Sequence, residues 1–454
     1  MEDITMRKIF QYIMLAVVTI VMASCTSDIE ETTATTGKSN VQLVVGEFPA
    51  FGDSQTRAIG TPDAGKTSWA EGDELLLVID NTFYGKQYAT FTYNGKSWEL
   101  TSGELVYLEG DPAYISHVYY APNYKWSNTS LMLKKGKVAG TDELIEGKAR
   151  ITGNGETITV SFAEATRKYS RLRIATLPNE QITVDTEYFT PAGSSDMEQN
   201  RNYTLTSDEK GNAYLYGTFE NNSEVTVKYR EAALTTYTFS QATESAKSYA
   251  LDATVISANS AEEIKSAIEQ KVADGKTTIR LNLAPNAGTN EFMAIREAIK
   301  GAAPNDLGTI ELTIIGVETI PEEAFYKMLQ LKSVRMSDVK EIKKYAFKEC
   351  QYLTVVEAPS LNKLCSGAFK KCDQLAKLTF GPINYADERN WPIFEYITPN
   401  IDLILSDYQK EMIETDSYLY TANNDRDYAG SDEHNSKNFL GREFRSITCR
   451  YKVK

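Results

Sequence analysis

The feature that most constrains the fold is a pattern that occurs three times between Ile320 and Phe380. An Ala-Phe pair stands at Ala324-Phe325 and returns after 22 residues at 346–347 and again at 368–369. Other apolar residues keep the same step in three columns: Ile320, Ile342 and Leu364; Leu331, Leu353 and Leu375; Val334, Val356 and Leu378. Such a period indicates stacked repeats, because one unit cannot bury its own apolar face. The regular exposed surface that stacking leaves favours binding over catalysis.

The repeats also predict which side chains form that surface. If Val334 and Met336 point inward on a strand, the alternate positions point outward. The outward residues are then Ser333, Arg335, Val355, Glu357, Lys377 and Thr379. On parallel strands they would form a ladder, which is our candidate ligand-binding face. The alternative is an ordinary solvated face whose opposite charges pair across the turns.

Composition excludes several classes of function. A chain of 454 residues is too long for one core, so two to four domains are expected. A net charge of −14 without any run of basic residues argues against nucleic acid as a partner. The two histidines, His117 and His434, provide little material for a histidine metal site or a triad. We therefore predict no catalytic residues, no metal and no cofactor.

The N-terminus has the features of an export signal. After two basic residues, an apolar run covers Ile9–Met22, which is short for a membrane span. The small residues Ala23-Ser24 before Cys25 resemble the lipobox of bacterial lipoproteins. That resemblance implies a signal peptide over 1–24, acylation of Cys25 and a lipid-anchored protein on the exterior of the outer membrane. Alternatively, an ordinary signal peptide is cut nearby and Cys25 is incidental. Residues 25–40 are predicted to be a flexible tether.

The next 215 residues or so read as β structure. Short alternating segments rich in β-branched and aromatic residues are separated by turn signals such as Asn94-Gly95. This pattern predicts an all-β sandwich-type fold. We divide it into two β-subdomains, 41–168 and 169–255, and expect the polar stretch Pro191–Asn202 to be a loop.

This β region resembles a known family. The motifs Gln55–Arg57, Ser68-Trp69 and Gly72-Asp73, directly before a hydrophobic strand, are similar to the opening of the fimbrillin-like proteins, also called Mfa-like or FimA-like. Lys247–Val255 resembles the closing strand of that family. In some members a protease cuts after an arginine, here Arg57, and a neighbouring subunit donates a replacement strand. The alternative is that Arg57 is a solvated arginine in a chain that is never cut.

Residues 256–405 are predicted to form an α/β solenoid with a parallel sheet. Two irregular helix–strand units come first, with a capping box at Ser260–Glu263 and a second helix over Glu291–Lys300 capped by Asn290. The regular turns follow, and the unit Ile342–Leu353 resembles the BspA-type leucine-rich repeat.

Two features at and beyond these repeats remain open. Cys350 and Cys372 occupy equivalent repeat positions, where buried free thiols are favoured over a disulfide. The polar segment 406–454 is assigned as a C-terminal cap or tail.

These features together favour a lipid-anchored surface adhesin or binding protein. Its leucine-rich-repeat face would meet a host or bacterial surface protein or a glycan. The alternative is an accessory or tip subunit of a fimbria, whose partners would be other fimbrial subunits. A glycan-degrading enzyme is less favoured, because no carboxylate pair stands out among 62 acidic residues.

Overall fold

The structure is a computed structural model. It describes residues 42–51, 65–81, 85–105, 115–152, 157–162, 167–386, 392–397, 400–407, 438–440 and 442–451. Cys25 and Arg57, with the predicted signal peptide and the predicted tether, lie outside these residues. As the sequence predicts, the described chain is mostly β and contains several sheets.

The first β region builds one sheet and one hairpin. Its strands are Gln42–Val45 (β1), Glu74–Asn81 (β2), Gly85–Tyr93 (β3), Trp98–Gly103 (β4), Ile115–Tyr120 (β5), Tyr124–Ser127 (β6), Ser130–Leu133 (β7), Ile145–Thr152 (β8) and Thr157–Ser161 (β9). Seven of them pair in the order β1-β9-β8-β5-β2-β3-β4, and β6 pairs with β7 alone. All seven strands contribute side chains to one apolar core.

Aromatic packing holds the N-terminal segment against this core. The Trp69 ring lies 4.9 Å from Phe48 and 5.4 Å from Tyr120 between ring centroids. Its indole nitrogen donates to the Gly46 carbonyl at 2.9 Å. Trp69 therefore has the core-packing position that aromatic residues commonly take in β cores.

The second β region is another seven-stranded sheet. Its strands are Ser170–Ala175 (β10), Gln181–Pro191 (β11), Glu198–Thr206 (β12), Asn212–Phe219 (β13), Glu224–Tyr229 (β14), Ala232–Thr238 (β15) and Ser248–Asp252 (β16). Six follow the order β15-β14-β11-β13-β10-β16, and β12 pairs with β11. The expected loop Pro191–Asn202 is therefore shorter, because its polar residues from Glu198 onward pair with β11 as the outer strand of a hairpin.

The C-terminal region alternates strands with helices and then with turns. Its elements are Ile256–Ala258 (β17), Ala261–Ala273 (α1), Thr278–Leu283 (β18), Thr289–Ala302 (α2), Ile310–Ile315 (β19), Thr319–Ile320 (β20), Leu331–Met336 (β21), Glu341–Ile342 (β22), Val355–Ala358 (β23), Lys363–Leu364 (β24), Lys377–Phe380 (β25), Tyr385–Ala386 (β26), Asp402–Ser406 (β27), Asn438–Phe439 (β28), Arg442–Glu443 (β29) and Ser446–Tyr451 (β30). The main sheet has eight parallel strands, β17-β18-β19-β21-β23-β25-β27-β30. The short strands β20-β22-β24-β26 form a second parallel sheet.

The two helices begin where local capping allows. Ser260 accepts a hydrogen bond from the Glu263 amide at 3.3 Å, as the capping box predicts for α1. The prediction for α2 was wrong at its start: Gly288 is the N-cap and Asn290 lies in the first turn. The Glu291 carboxylate accepts from the Gly288 amide at 2.8 Å, so the helix begins earlier without a side-chain cap.

A column of phenylalanines fills the repeat core. Phe347 stacks on Phe325 with centroids 5.1 Å apart and on Phe369 at 5.4 Å. Phe369 stacks on Phe394 at 5.7 Å, which continues the column. Phe394 follows Phe369 by 25 residues, so this turn carries three residues more than the 22-residue step. Edge-on rings close both ends, from Phe292 of α2 onto Phe325 and from Phe444 onto Phe394. The Ala-Phe period is therefore the sequence signature of this column.

Backbone hydrogen bonds join the turns as well. Two positions in each turn have positive φ: Glu323 and Lys327, then Tyr345 and Glu349, then Gly367 and Lys371. The Tyr345 amide donates to the backbone carbonyl of Ser366 in the next turn at 3.2 Å, and the Glu349 amide donates to the backbone carbonyl of Lys370 at 2.7 Å. The stacking of the repeats is therefore fixed by main-chain hydrogen bonds between the turns and by strand pairing in the main sheet.

The main sheet extends past the predicted end of the solenoid. Strand β30 of the segment 406–454 pairs in parallel with β27 and adds the last strand to the main sheet. The segment 406–454 was predicted only as a cap or tail because its polar residues break the 22-residue step. The Phe444 ring, 1% exposed, covers the end of the phenylalanine column.

The cysteine positions give a chemical prediction. Cys350 and Cys372 are buried free thiols, and each donates to a carbonyl of the preceding turn, at 2.9 and 3.0 Å. Burial raises the pKa of the Cys350 thiol to about 12. We expect iodoacetamide to modify the half-buried Cys365 and Cys449 in the folded protein and to spare Cys350 and Cys372.

Peptide mass spectrometry of native and guanidinium-unfolded samples checks this prediction. The unfolded sample is the control, in which all four of these thiols should react. Rapid native labelling of Cys350, or a cross-linked peptide joining it to Cys372, would contradict the prediction.

Candidate functional site

Strand pairing places the outward residues of the repeat sheet in two rows. The first row runs through residues in register on seven strands: Thr278, Glu311, Ser333, Val355, Lys377, Asp402 and Ser446. The second row runs beside it: Arg280, Thr313, Arg335, Glu357, Thr379, Ile404 and Thr448. All six residues chosen from the sequence lie in these rows, so the alternation along each strand locates them.

Accessibility differs among those six residues. The Arg335 and Lys377 side chains are 42% and 47% exposed, Glu357 is 30% exposed, and Val355 and Thr379 are half-buried. Ser333 was expected on the exposed face, but only 7% of it is accessible. Its short side chain stands between the larger Glu311 and Val355 in the same row, and these limit its exposure. Ser333 is therefore outward in register but unavailable to a ligand.

Charges of alternating sign cross this face. We call Arg335, Glu357, Lys377, Asp402 and Arg445 the charge row; they lie on four neighbouring strands and at the entry to the next. Glu357 lies 2.9 Å from Arg335 and 3.9 Å from Lys377, and Arg445 Nε lies 2.8 Å from Asp402 Oδ1. The side chains are 30–51% exposed. Opposite charges thus pair across the repeats while remaining open to solvent.

The second β region covers the start of the face. Arg280 and Thr313 are 6% and 4% exposed, and Ile315 is packed in the apolar core of the second sheet. Arg280 donates to the Leu234 carbonyl at 2.5 Å and lies 3.9 Å from Asp252. Burial lowers the pKa of the Arg280 guanidinium, an effect that Asp252 opposes. In the second row the accessible face therefore begins at Arg335, whereas Glu311 in the first row is 35% exposed.

Sequence reasoning missed the C-terminal part of the charge row. Leu403 follows Leu378 by 25 residues, and the same step from Lys377 leads to Asp402, so a signal for Asp402 was present. No spacing in the sequence points to Arg445, because the strand that it precedes, β30, lies beyond a long interruption of the repeat. Its position follows only from the pairing of β27 with β30.

A second concave site lies between the first and second sheets. This cleft has a volume of about 730 Å³ and is lined in part by Tyr120, Asp142, Glu143 and Arg171. Burial raises the pKa of both the Asp142 and the Glu143 carboxyls. Glu143 is held 2.7 Å from Arg167, however, and both side chains are at most 6% exposed. The pair is structural, since Arg167, just before β10, also donates to the Pro49 carbonyl at 2.6 Å.

The described residues show neither a metal cluster nor a membrane-spanning helix. Among them, no group of three His, Cys, Asp or Glu side chains is placed to hold a metal ion. Within the same part of the chain, no helix has the length and apolar character needed to cross a membrane.

Comparison with known protein families identifies the repeats. A model described as "BspA type Leucine rich repeat region" matches residues 306–409 in six copies. These residues are therefore a BspA-type leucine-rich repeat domain, which confirms the resemblance predicted from the sequence. Helices α1 and α2 precede the matched residues.

Other comparisons add little. The crystal structure of a leucine-rich repeat protein from T. pallidum (TpLRR) is similar at 18% identity, covering 21% of this chain and 58% of that chain, with a TM-score of 0.17. The minor pilin GBS52 of Streptococcus agalactiae is similar at 10% identity, covering 47% of this chain and 94% of that chain, also with a TM-score of 0.17. At these TM-scores neither likeness bears on function. No curated protein matches the chain.

Proposed function

We propose that this chain is a cell-surface binding protein of the adhesin type. The charge row would hold the ligand, and acylated Cys25 would anchor the chain in outer-membrane lipid. The observation that carries the proposal is a row of alternating charges, each 30–51% exposed, on a leucine-rich repeat sheet.

The energetics of the charge row fit such a role. Exposed ion pairs contribute about 0–1 kcal/mol, so a ligand can replace them at little cost to folding. Alternating charges also give specificity, because a partner in the wrong register meets like charges. Charged, hydroxyl and aliphatic side chains in both rows suit a protein ligand of complementary charge. A bacterial surface protein, a host protein or a glycan would be the partner.

Charge reversal tests the proposal. Arg335→Glu with Lys377→Glu places acidic groups on both sides of Glu357, so binding should weaken at least about tenfold. The probes are a glycan array, immobilised extracellular-matrix proteins and whole bacterial cells. Binding is measured by surface plasmon resonance or by flow cytometry.

The repeat region offers a matched control. Lys340→Glu with Lys363→Glu makes the same change in charge on the side of the short strands, where each lysine pairs with a glutamate one turn back. These lysines are 51% and 41% exposed, close to the tested pair. Equal losses in both double variants, or unchanged binding in the first, would refute the charge row as the site.

A fimbrial subunit is the second candidate, favoured by the position of β1. Among the described residues, this strand is at a sheet edge and pairs only with β9, yet Leu43 and Val45 are at most 4% exposed. Its removal by a cut after Arg57 would open a groove that a neighbour's strand could fill. A stalk subunit would donate its last strand to a neighbouring subunit. Here β16, the last strand of the second β region, pairs with β10 of the same chain, so an accessory or tip role fits better.

The mature N-terminus distinguishes the two candidates. Mass spectrometry of protein isolated from the native membrane should find lipidated Cys25 in an anchored binding protein. Ala58 as the first residue would support the fimbrial candidate instead. A glycan-degrading enzyme has less support, because Arg167 engages Glu143, a buried carboxylate that lines the cleft.

A further inference from the structure

The β6–β7 hairpin and the loop after it are basic, whereas the chain as a whole is acidic. We call residues 124–138 the basic hairpin. It contains four lysines and no aspartate or glutamate, although the whole chain has a net charge of −14. A basic segment in an acidic protein offers a surface to an anionic partner.

The inner face of the hairpin fixes it to the first sheet. Trp126 donates to the Ala89 carbonyl at 3.2 Å, and its ring lies 4.8 Å from that of Tyr88. Tyr124 is 6% exposed and packs in a small core with Leu76. The outer face, where Lys125 is paired in register with Met132, is thereby held toward solvent.

Apolar side chains are concentrated on the exposed part of the hairpin. Met132, Leu133 and Val138 are 51%, 40% and 36% exposed. They are three of the ten exposed large apolar side chains in the described structure, within 15 residues of sequence. Such clustering marks an interaction site more than scattered exposure does.

The lysines around these apolar residues are largely available. Lys134 pairs with Glu74 at 2.7 Å. Lys125, Lys135 and Lys137 are exposed and form no ion pair within the described residues. The positive charge of Lys137 acts on Asp142 from a distance. It opposes the rise in the pKa of the Asp142 carboxyl that burial causes.

We propose that the basic hairpin docks on an anionic lipid bilayer. Met132, on the outer face beside Lys125, enters the interface, and Lys125, Lys135 and Lys137 contact the headgroup phosphates. A bilayer satisfies both features at once, since it presents negative charge above an apolar layer. An acidic protein would explain the lysines but gives no reason for flexible apolar side chains that face water. This docking is independent of acylation at Cys25 and of ligand binding at the charge row.

Vesicle co-sedimentation tests the proposal. The protein begins at Thr26, which keeps every described residue and removes the N-terminal apolar run and Cys25. It should bind phosphatidylcholine vesicles containing about one third phosphatidylglycerol, but not pure phosphatidylcholine. Lys125→Gln, Lys135→Gln and Lys137→Gln together should lower partitioning roughly a hundredfold, at about fivefold per lysine. Met132→Ser should also lower it, at unchanged charge.

A matched triple variant provides the control. Lys96→Gln, Lys265→Gln and Lys276→Gln remove the same charge from exposed lysines elsewhere and should leave binding nearly unchanged. Circular dichroism verifies that each variant is folded. Failure of the parent protein to bind anionic vesicles, or equal losses in the two lysine variants, would overturn the proposal. It would also be overturned if Met132→Ser had no effect, a result that would favour an acidic protein or polymer.

Discussion

Replacement of Phe347 by alanine should destabilise the repeat region by about 3–5 kcal/mol. Phe347 is 0% exposed and has a stacked ring on each side, at 5.1 and 5.4 Å. Truncation removes its own burial and leaves both neighbouring rings facing a cavity. Because the stack transmits packing from turn to turn, the loss should extend to the adjacent repeats.

Hydrogen exchange followed by mass spectrometry is the suitable measurement for Phe347→Ala. A chain with several sheets need not unfold in two states, so protection is read by peptide across residues 310–405. Tyr396→Ala, at an aromatic residue that is 63% exposed in the turn of Phe394, serves as the control. A change below about 1 kcal/mol in Phe347→Ala would show that the column does not hold the repeats together.

Breaking the buried ion pair between Arg167 and Glu143 should have a similar effect. Arg167→Met leaves the Glu143 carboxylate without its partner, and such a change typically costs about 3–5 kcal/mol. Arg167 also packs over the Phe51 ring at 3.7 Å, so the N-terminal segment should loosen. Denaturant unfolding, with hydrogen exchange of residues 42–51, measures both consequences.

The pH dependence identifies the cause of that loss. Burial raises the pKa of the Glu143 carboxyl, and Arg167 opposes the rise, so removing Arg167 should raise the pKa further. A carboxyl whose pKa is higher in the folded than in the unfolded state stabilises the fold while it is protonated. This contribution to stability is lost as the pH rises through the folded-state pKa. The deficit of Arg167→Met should therefore be smaller near pH 5 than near pH 8.

A double variant separates charge from packing. Arg167→Met with Glu143→Gln has no buried charge at this position, so it should recover much of the stability and lose the added pH dependence. If the deficit in Arg167→Met does not vary with pH, the loss arises from packing and the electrostatic explanation is wrong.

The sequence predicts those parts of the structure that depend on local periodicity. The 22-residue step locates the phenylalanine column, and alternation along each strand locates the outward rows. The exposure of a side chain is less predictable. That of Ser333 depends on the size of its neighbours, and that of Arg280 depends on the second sheet, which covers it. Long-range pairing is also absent from the pattern: alternation shows that β1 has a buried side but not that β9 is its partner.

Photo-crosslinking tests the central claim, that the outward face of the repeat sheet binds the ligand. A benzophenone amino acid is placed at Thr379 on that face or, as a control, at Asn384 beside the short strands. Each protein is irradiated with whichever probe in the binding screen gives a signal. We expect a covalent adduct from position 379 and none from position 384. An adduct from 384 with none from 379 would contradict the claim and place the ligand on the other side of the repeats.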